Sequence, residues 1–144
     1  MRPLEFGAFL ELALRLLKRQ APGCYARLGD AVRSEAVHIA VDGRPLVVRF
    51  RGGRHEITAP TCAATVEICT DRAAILALID DELSLLEAIL SERLWIQGSA
   101  EGVERFDEAL QAFLDGALRA PSFPALLDAF RSDPPLPGAT GTEI

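Results

Sequence analysis

The period of the apolar residues changes twice along this chain, and those changes restrict its fold more than any other feature. Near the start, Phe6, Phe9, Leu10, Ala13, Leu14, Leu16 and Leu17 recur at helical spacing. The pattern then alternates. Val37, Ile39 and Val41 share one strand face, Leu46, Val48 and Phe50 continue on a return strand, and Val66 and Ile68 point one way within Thr65 to Thr70. Beyond Asp71 the helical spacing returns. Strands bracketed by helices in 144 residues predict one α+β domain, a single sheet with helices layered on one side. No internal repeat is visible.

Turn chemistry supplies the connections. Asp42-Gly43 signals a tight hairpin, Pro45 suits only the start or edge of a strand, and Gly52-Gly53 turns the chain into the segment RHEITA. Four successive strands predict an antiparallel meander. Lys18 and Arg19 suit the negative end of the first helix dipole, Pro22 and Gly23 end that helix, and Cys24 to Ser34 reads as a short second one. Asp71 caps a helix running through Ile79, and Ser99 caps a long one carrying Val103, Phe106, Leu110, Phe113, Leu114 and Ala117 on one face, with Gly116 near its end. Pro124 opens a small amphipathic turn with Leu126, Leu127 and Phe130. The domain is thus expected over 1–131, with 132–144, SDPPLPGATGTEI, too poor in apolar groups to order itself.

The stretch DELSLLEAILSERLWIQGS, from Asp81 to Ser99, is the least ordinary. Ser84 and Glu87 form a capping box, so a helix begins at Leu85. At about 100° per residue, Leu83, Leu85, Leu86, Ala88, Ile89 and Leu90 sweep an arc of roughly 200°, about twice a core-facing stripe. Such a helix needs two apolar surfaces: a sheet and a neighbouring helix, or a sheet and a bound ligand. Leu94 to Gln97 then form a short strand closed by Gly98. Trp95 serves there either as core packing or as a pocket wall.

Chemistry is sparse. A net charge of −6 disfavours nucleic acid, and Arg49, Arg51 and Arg54 read as a solvated strand face. GSAEG around Ser99 has the serine directly after the glycine, so it is a helix cap, not a nucleophile elbow. His38 and His55 are the only histidines, and His55-Glu56 lacks the second histidine of a zinc-binding H-E-x-x-H motif. Asp80, Asp81 and Glu82 read as a charged connector, and no glycine loop opens a helix to hold phosphate. Cys24, Cys62 and Cys69 lack metal-ligand spacing and are expected as free, mostly buried thiols. Apolar residues near the start are interrupted by Glu5 and Glu11, so neither signal peptide nor membrane span is expected and the protein is placed in the cytoplasm. No enzyme, cofactor or metal site is predicted.

The run from Asp71 to Phe113, DRAAILALIDDELSLLEAILSERLWIQGSAEGVERFDEALQAF, resembles the sterol carrier protein 2 family. The likeness rests on the polar helix start, paired apolar helices, the short strand ending at Gly98 and the helix after it, and with the hairpins it spans about Glu5 to Arg119. Two departures stand out: Glu92 replaces a glycine common before the basic residue of the last strand, and the chain ends Thr-Glu-Ile without the peroxisomal address of eukaryotic members. The resemblance implies a mixed, mainly antiparallel five-stranded sheet with helices on one face, enclosing an apolar tunnel for a fatty-acyl or sterol-like lipid. Leu85, Leu86, Ile89 and Leu90 would line it with Ile75, Leu78 and Ile79, and Trp95 or Phe106 would close it. The alternative is an accessory protein of a biosynthetic enzyme complex. The broadly apolar first helix is the expected contact for a second copy or a protein partner.

Overall fold

The computed structural model describes residues 4–33, 35–60 and 64–131. Ser34, Cys62 and the segment 132–144, read above as a helix end, a free thiol and an unordered tail, lie outside the described residues. Two helices, α1 (Phe6–Gln20) and α2 (Pro22–Val32), precede β1 (Val37–Val41), β2 (Arg44–Arg51), β3 (Arg54–Thr58) and β4 (Val66–Thr70). Then come α3 (Arg72–Ile79), α4 (Leu85–Leu90), β5 (Trp95–Gly98), α5 (Ala100–Arg119) and α6 (Phe123–Arg131). Pro22 starts α2 as well as ending α1, since a proline at the first helical position forfeits only an N–H that has no partner there.

Both hairpins take the expected two-residue form. Asp42 and Gly43 have φ of 54° and 80°, Gly52 and Gly53 have 59° and 78°, and the flanking pairs are Val41–Arg44 and Arg51–Arg54. The meander, however, stops at β3. The sheet order is β3-β2-β1-β4-β5, with β4 parallel to β1 and the other neighbours antiparallel. The connection 59–65 is too long for a tight hairpin and returns the chain to the free edge of β1. There Val66 and Ile68 lie beside Val37 and Ile39, so one apolar row continues across the sheet. The result is a mixed five-stranded sheet in an α+β fold with helices on one face.

Alternation assigns the two sheet faces. Val37, Val48, Val66 and Ile68 are buried beneath the helices, whereas Glu67, Cys69, Trp95 and Gln97 project from the opposite face and are exposed. Cys24 is buried as expected; Cys69 is not, because it alternates with Ile68. Arg51 and Arg54 are exposed, and Arg51 pairs with Glu56 at 3.3 Å.

The broad apolar arc of α1 is used inside the chain. Phe9, Ala13, Leu14, Leu16 and Leu17 are all buried, and α1 packs against α2, α5 and α6. Leu12, 43% exposed, is the one large apolar side chain of the helix that stays on the surface. Gly116 permits the close approach of α5, since a Cβ there would lie 2.5 Å from Leu17 Cδ2 and 3.2 Å from Cys24 Cβ. Glu92 has a φ of 63°. That left-handed conformation explains why a glycine suits this position, and this chain makes the same turn with a side chain present.

Candidate functional site

The alternating strands form the floor of an apolar cavity, contributed by Val37, Ile39, Val48, Ile68 and Thr70. Helix α1 adds Phe6, Phe9, Leu10 and Leu14, and α2 adds Leu28 and Val32. Ile75, Leu78 and Ile79 of α3 close one side; Leu94 and the α5 residues Phe106, Ala109, Leu110 and Phe113 close another. The cavity measures about 140 Å³ and its wall presents no polar surface. A space of this size and lining suits a small apolar guest. With roughly 30 Å³ per water-sized group, it has room for about five non-hydrogen atoms.

Four of the nine sequence-predicted residues, Ile75, Leu78, Ile79 and Phe106, line this cavity. Five do not. Helix α4 begins with the predicted capping box, Ser84 N–H donating to Glu87 at 2.8 Å and Glu87 N–H to Ser84 at 3.0 Å. It docks through Ala88, which is fully buried, with Leu85 and Ile89 packed beside the core. These three residues, spaced i, i+3 and i+4, make one stripe. Leu86 and Leu90 fall outside it, 64% and 74% exposed, and Trp95 is 49% exposed on the helix-free sheet face. A helix of six residues meets the core along that one stripe, so its wide apolar arc reaches the surface.

Missing from the sequence-based set were the strand floor, the α1 and α2 residues, Leu94, Ala109, Leu110 and Phe113. Several had been recognised as apolar stripe positions, so their burial was readable. Which of them border empty space depends on layer separation, which no periodicity encodes.

Polar chemistry lies away from the cavity. Tyr25 and His55 Nδ1 are 2.8 Å apart, His55 N–H donates to the Tyr25 hydroxyl at 3.0 Å, and His55 Nε2 is 3.1 Å from Glu11 Oε2. A carboxylate only accepts, so His55 Nε2 donates to Glu11 while Nδ1 meets the Tyr25 hydroxyl. This network ties α1, α2 and β3 together. His38 differs: its Nε2 is buried with no hydrogen-bond partner among the described residues. Two larger surface depressions, about 750 and 760 Å³, are bordered by charged groups, among them Glu5, Glu11, Arg44 and Arg72 in one and Lys18, Asp30 and Arg33 in the other. Among the described residues no three His, Cys, Asp or Glu side chains could hold a metal ion, and no helix is long and apolar enough to cross a membrane.

Burial pushes the Glu11 carboxyl up, but hydrogen bonds from His55 and Arg15, with their charges, outweigh it and leave the pKa below the ordinary 4.5. A carboxylate lowered in the folded state stabilises the fold above its unfolded value, and that contribution is lost as pH falls through the folded value. The thermal midpoint should therefore hold down to a pH of about 4.5 and decline as pH falls below it through the lowered folded-state value. Glu11→Gln should make the decline shallower, as read by scanning calorimetry across pH.

An apolar cavity between a mixed five-stranded sheet and its helices defines a small hydrophobic-ligand-binding class of fold. The chain matches the SCP-2 sterol transfer family over residues 9–111 and belongs to that family. Among solved structures it is similar to the UbiJ-SCP2 ubiquinone synthesis protein, at 18% identity and a TM-score of 0.57, covering 73% of this chain and 86% of that one. It is also similar to the sterol carrier protein domain 2 of Helicoverpa armigera, at 11% identity and a TM-score of 0.56, covering 74% and 86%. For the sterol carrier protein 2 of Yarrowia lipolytica the values are 8% and 0.53, covering 80% and 99%. No curated protein matches the chain in sequence.

Proposed function

We propose that this protein is a non-catalytic, cytoplasmic carrier of a hydrophobic ligand, a fatty-acyl or sterol-like lipid, held between sheet and helices. The observation that carries this reading is a cavity walled entirely by apolar surface within the core, where tight packing would otherwise be the rule. Ile75, Leu78, Ile79 and Phe106 touch the guest in this reading, and Leu85 and Ile89 pack against the core from the next helix. Each methylene buried contributes about 0.8 kcal/mol, so affinity rises with chain length until the available space is filled. A long chain also requires the layers to part, and the segment from Asp80 to Leu90 opens locally to admit and release it.

Native mass spectrometry after mild purification, with displacement of a fluorescent fatty acid, tests the reading. A co-purifying lipid mass and saturable displacement by long-chain lipids are expected. A protein that arrives empty and ignores every lipid removes the proposal.

A second reading, an accessory protein for a biosynthetic enzyme complex, is favoured by the exposure of Leu86 and Leu90. The similarity to a protein of ubiquinone synthesis is consistent with it. Capture of a defined partner enzyme by lipid-free protein, abolished by Leu86→Asp, would distinguish it from the carrier reading.

A further inference from the structure

The cavity is too small for the guest just proposed, and the chain itself occupies the neighbouring space. Phe9 and Phe113 line the cavity, and directly behind them stand two aromatic rings from α6. Phe130 stacks on Phe9 with centroids 4.2 Å apart, while Phe123 meets Phe9 at 6.1 Å and Phe113 at 6.0 Å. Phe130 is fully buried and Phe123 is 3% exposed. Helix α6 lies beyond residues 9–111, the part of the chain that matches the family.

Besides these two buried rings, polar contacts near both ends hold α6 in place. Arg131 makes a two-pronged ion pair with Asp80 at the end of α3, at 2.7 and 2.9 Å. The partners' side chains are 43% and 27% exposed, so water can replace either. At the start of α3, Arg72 donates to the Phe130 carbonyl and, at 2.9 Å, to the Leu4 carbonyl, with its guanidinium 4.4 Å from the centre of the Phe130 ring. At the other end of α6, Gln20 donates to the Ser122 hydroxyl at 2.9 Å and accepts from Ser122 N–H at 3.0 Å.

We propose that α6 is a displaceable plug that sets the length of guest the cavity takes. Seated, Phe123 and Phe130 brace Phe9 and Phe113, the aromatic wall that limits the space to a compact group. Released, α6 leaves the outer faces of Phe9 and Phe113 to the far end of a long hydrocarbon chain. A chain lying there replaces the apolar contacts that Phe9 and Phe113 lose, and the Asp80–Arg131 pair biases the choice between the two states. This inference rests on the carrier reading and names its selectivity device.

The test follows cis-parinaric acid, an 18-carbon fluorescent fatty acid, entering full-length wild type, Asp80→Asn, Arg131→Gln and the double variant by stopped flow. Each single variant should speed entry by about threefold, the scale of a partly exposed ion pair, and the double variant no further. Hydrogen exchange should show α6 amides losing protection when wild type is loaded with parinarate. Equal entry rates in all four proteins, or α6 amides that stay protected in the loaded wild type, would overturn the plug while leaving the carrier reading intact. No parinarate uptake by any of the four would overturn both.

Discussion

Ala109→Leu is expected to weaken lipid uptake by roughly fifty-fold while leaving the protein as stable as wild type or more so. Ala109 is buried on α5 and lines the cavity. Leucine adds three non-hydrogen atoms, each filling roughly 30 Å³, which takes more than half of the 140 Å³ present. A guest losing three methylene-sized positions at about 0.8 kcal/mol each loses roughly that factor in affinity. Leucine is a good helix former, and filling a void commonly raises stability by about 0.5–2 kcal/mol. Fluorescent fatty-acid titration and scanning calorimetry on the same variant give both numbers. A raised thermal midpoint with undiminished lipid affinity would show that the guest binds elsewhere.

Phe9→Ala should cost about 3–5 kcal/mol, the range for truncating a fully buried aromatic. Phe9 is 1% exposed and is the hub of the aromatic cluster, in ring contact with Phe6, Phe123 and Phe130. Its loss leaves a void that α1, α5 and α6 cannot all close at once, in a domain whose total stability is expected to be about 5–15 kcal/mol. Leu12→Ala on the same helix is the control. Leu12 remains substantially exposed, and its truncation should change stability by about 0.5 kcal/mol or less. Urea unfolding of the two variants gives the comparison, and a Phe9→Ala midpoint indistinguishable from that of Leu12→Ala would contradict the packing described above.

Much of the architecture was legible without coordinates because it is written in short-range chemistry. Asp42-Gly43 and Gly52-Gly53 adopt the left-handed turns their residue types favour, and Ser84 with Glu87 forms its capping box. Asp71 and Ser99 accept from the N–H groups of Ala74 and Gly102, so both caps stand where polar side chains precede helical runs. In the site, Ile75, Leu78, Ile79 and Phe106 were readable as inward apolar positions. Leu86 and Leu90 were not separable from Leu85 and Ile89, because helical spacing measures the width of an apolar arc and not how much of it a neighbour covers. The one topological error, a meander in place of a parallel β1–β4 pair, has a related cause: alternation shows which residues share a face, but not which strand lies alongside.

Taken alone, the order of residues determined the elements, their caps and turns, the apolar faces and the family resemblance, since each depends on groups only a few positions apart or on a pattern spread along the chain. Tertiary structure alone decided the strand order, the outward turn of Leu86, Leu90 and Trp95, the cavity behind Phe9 and the seating of α6 against it. Those depend on how far apart packed layers come to rest, a distance set by all the side chains between them at once.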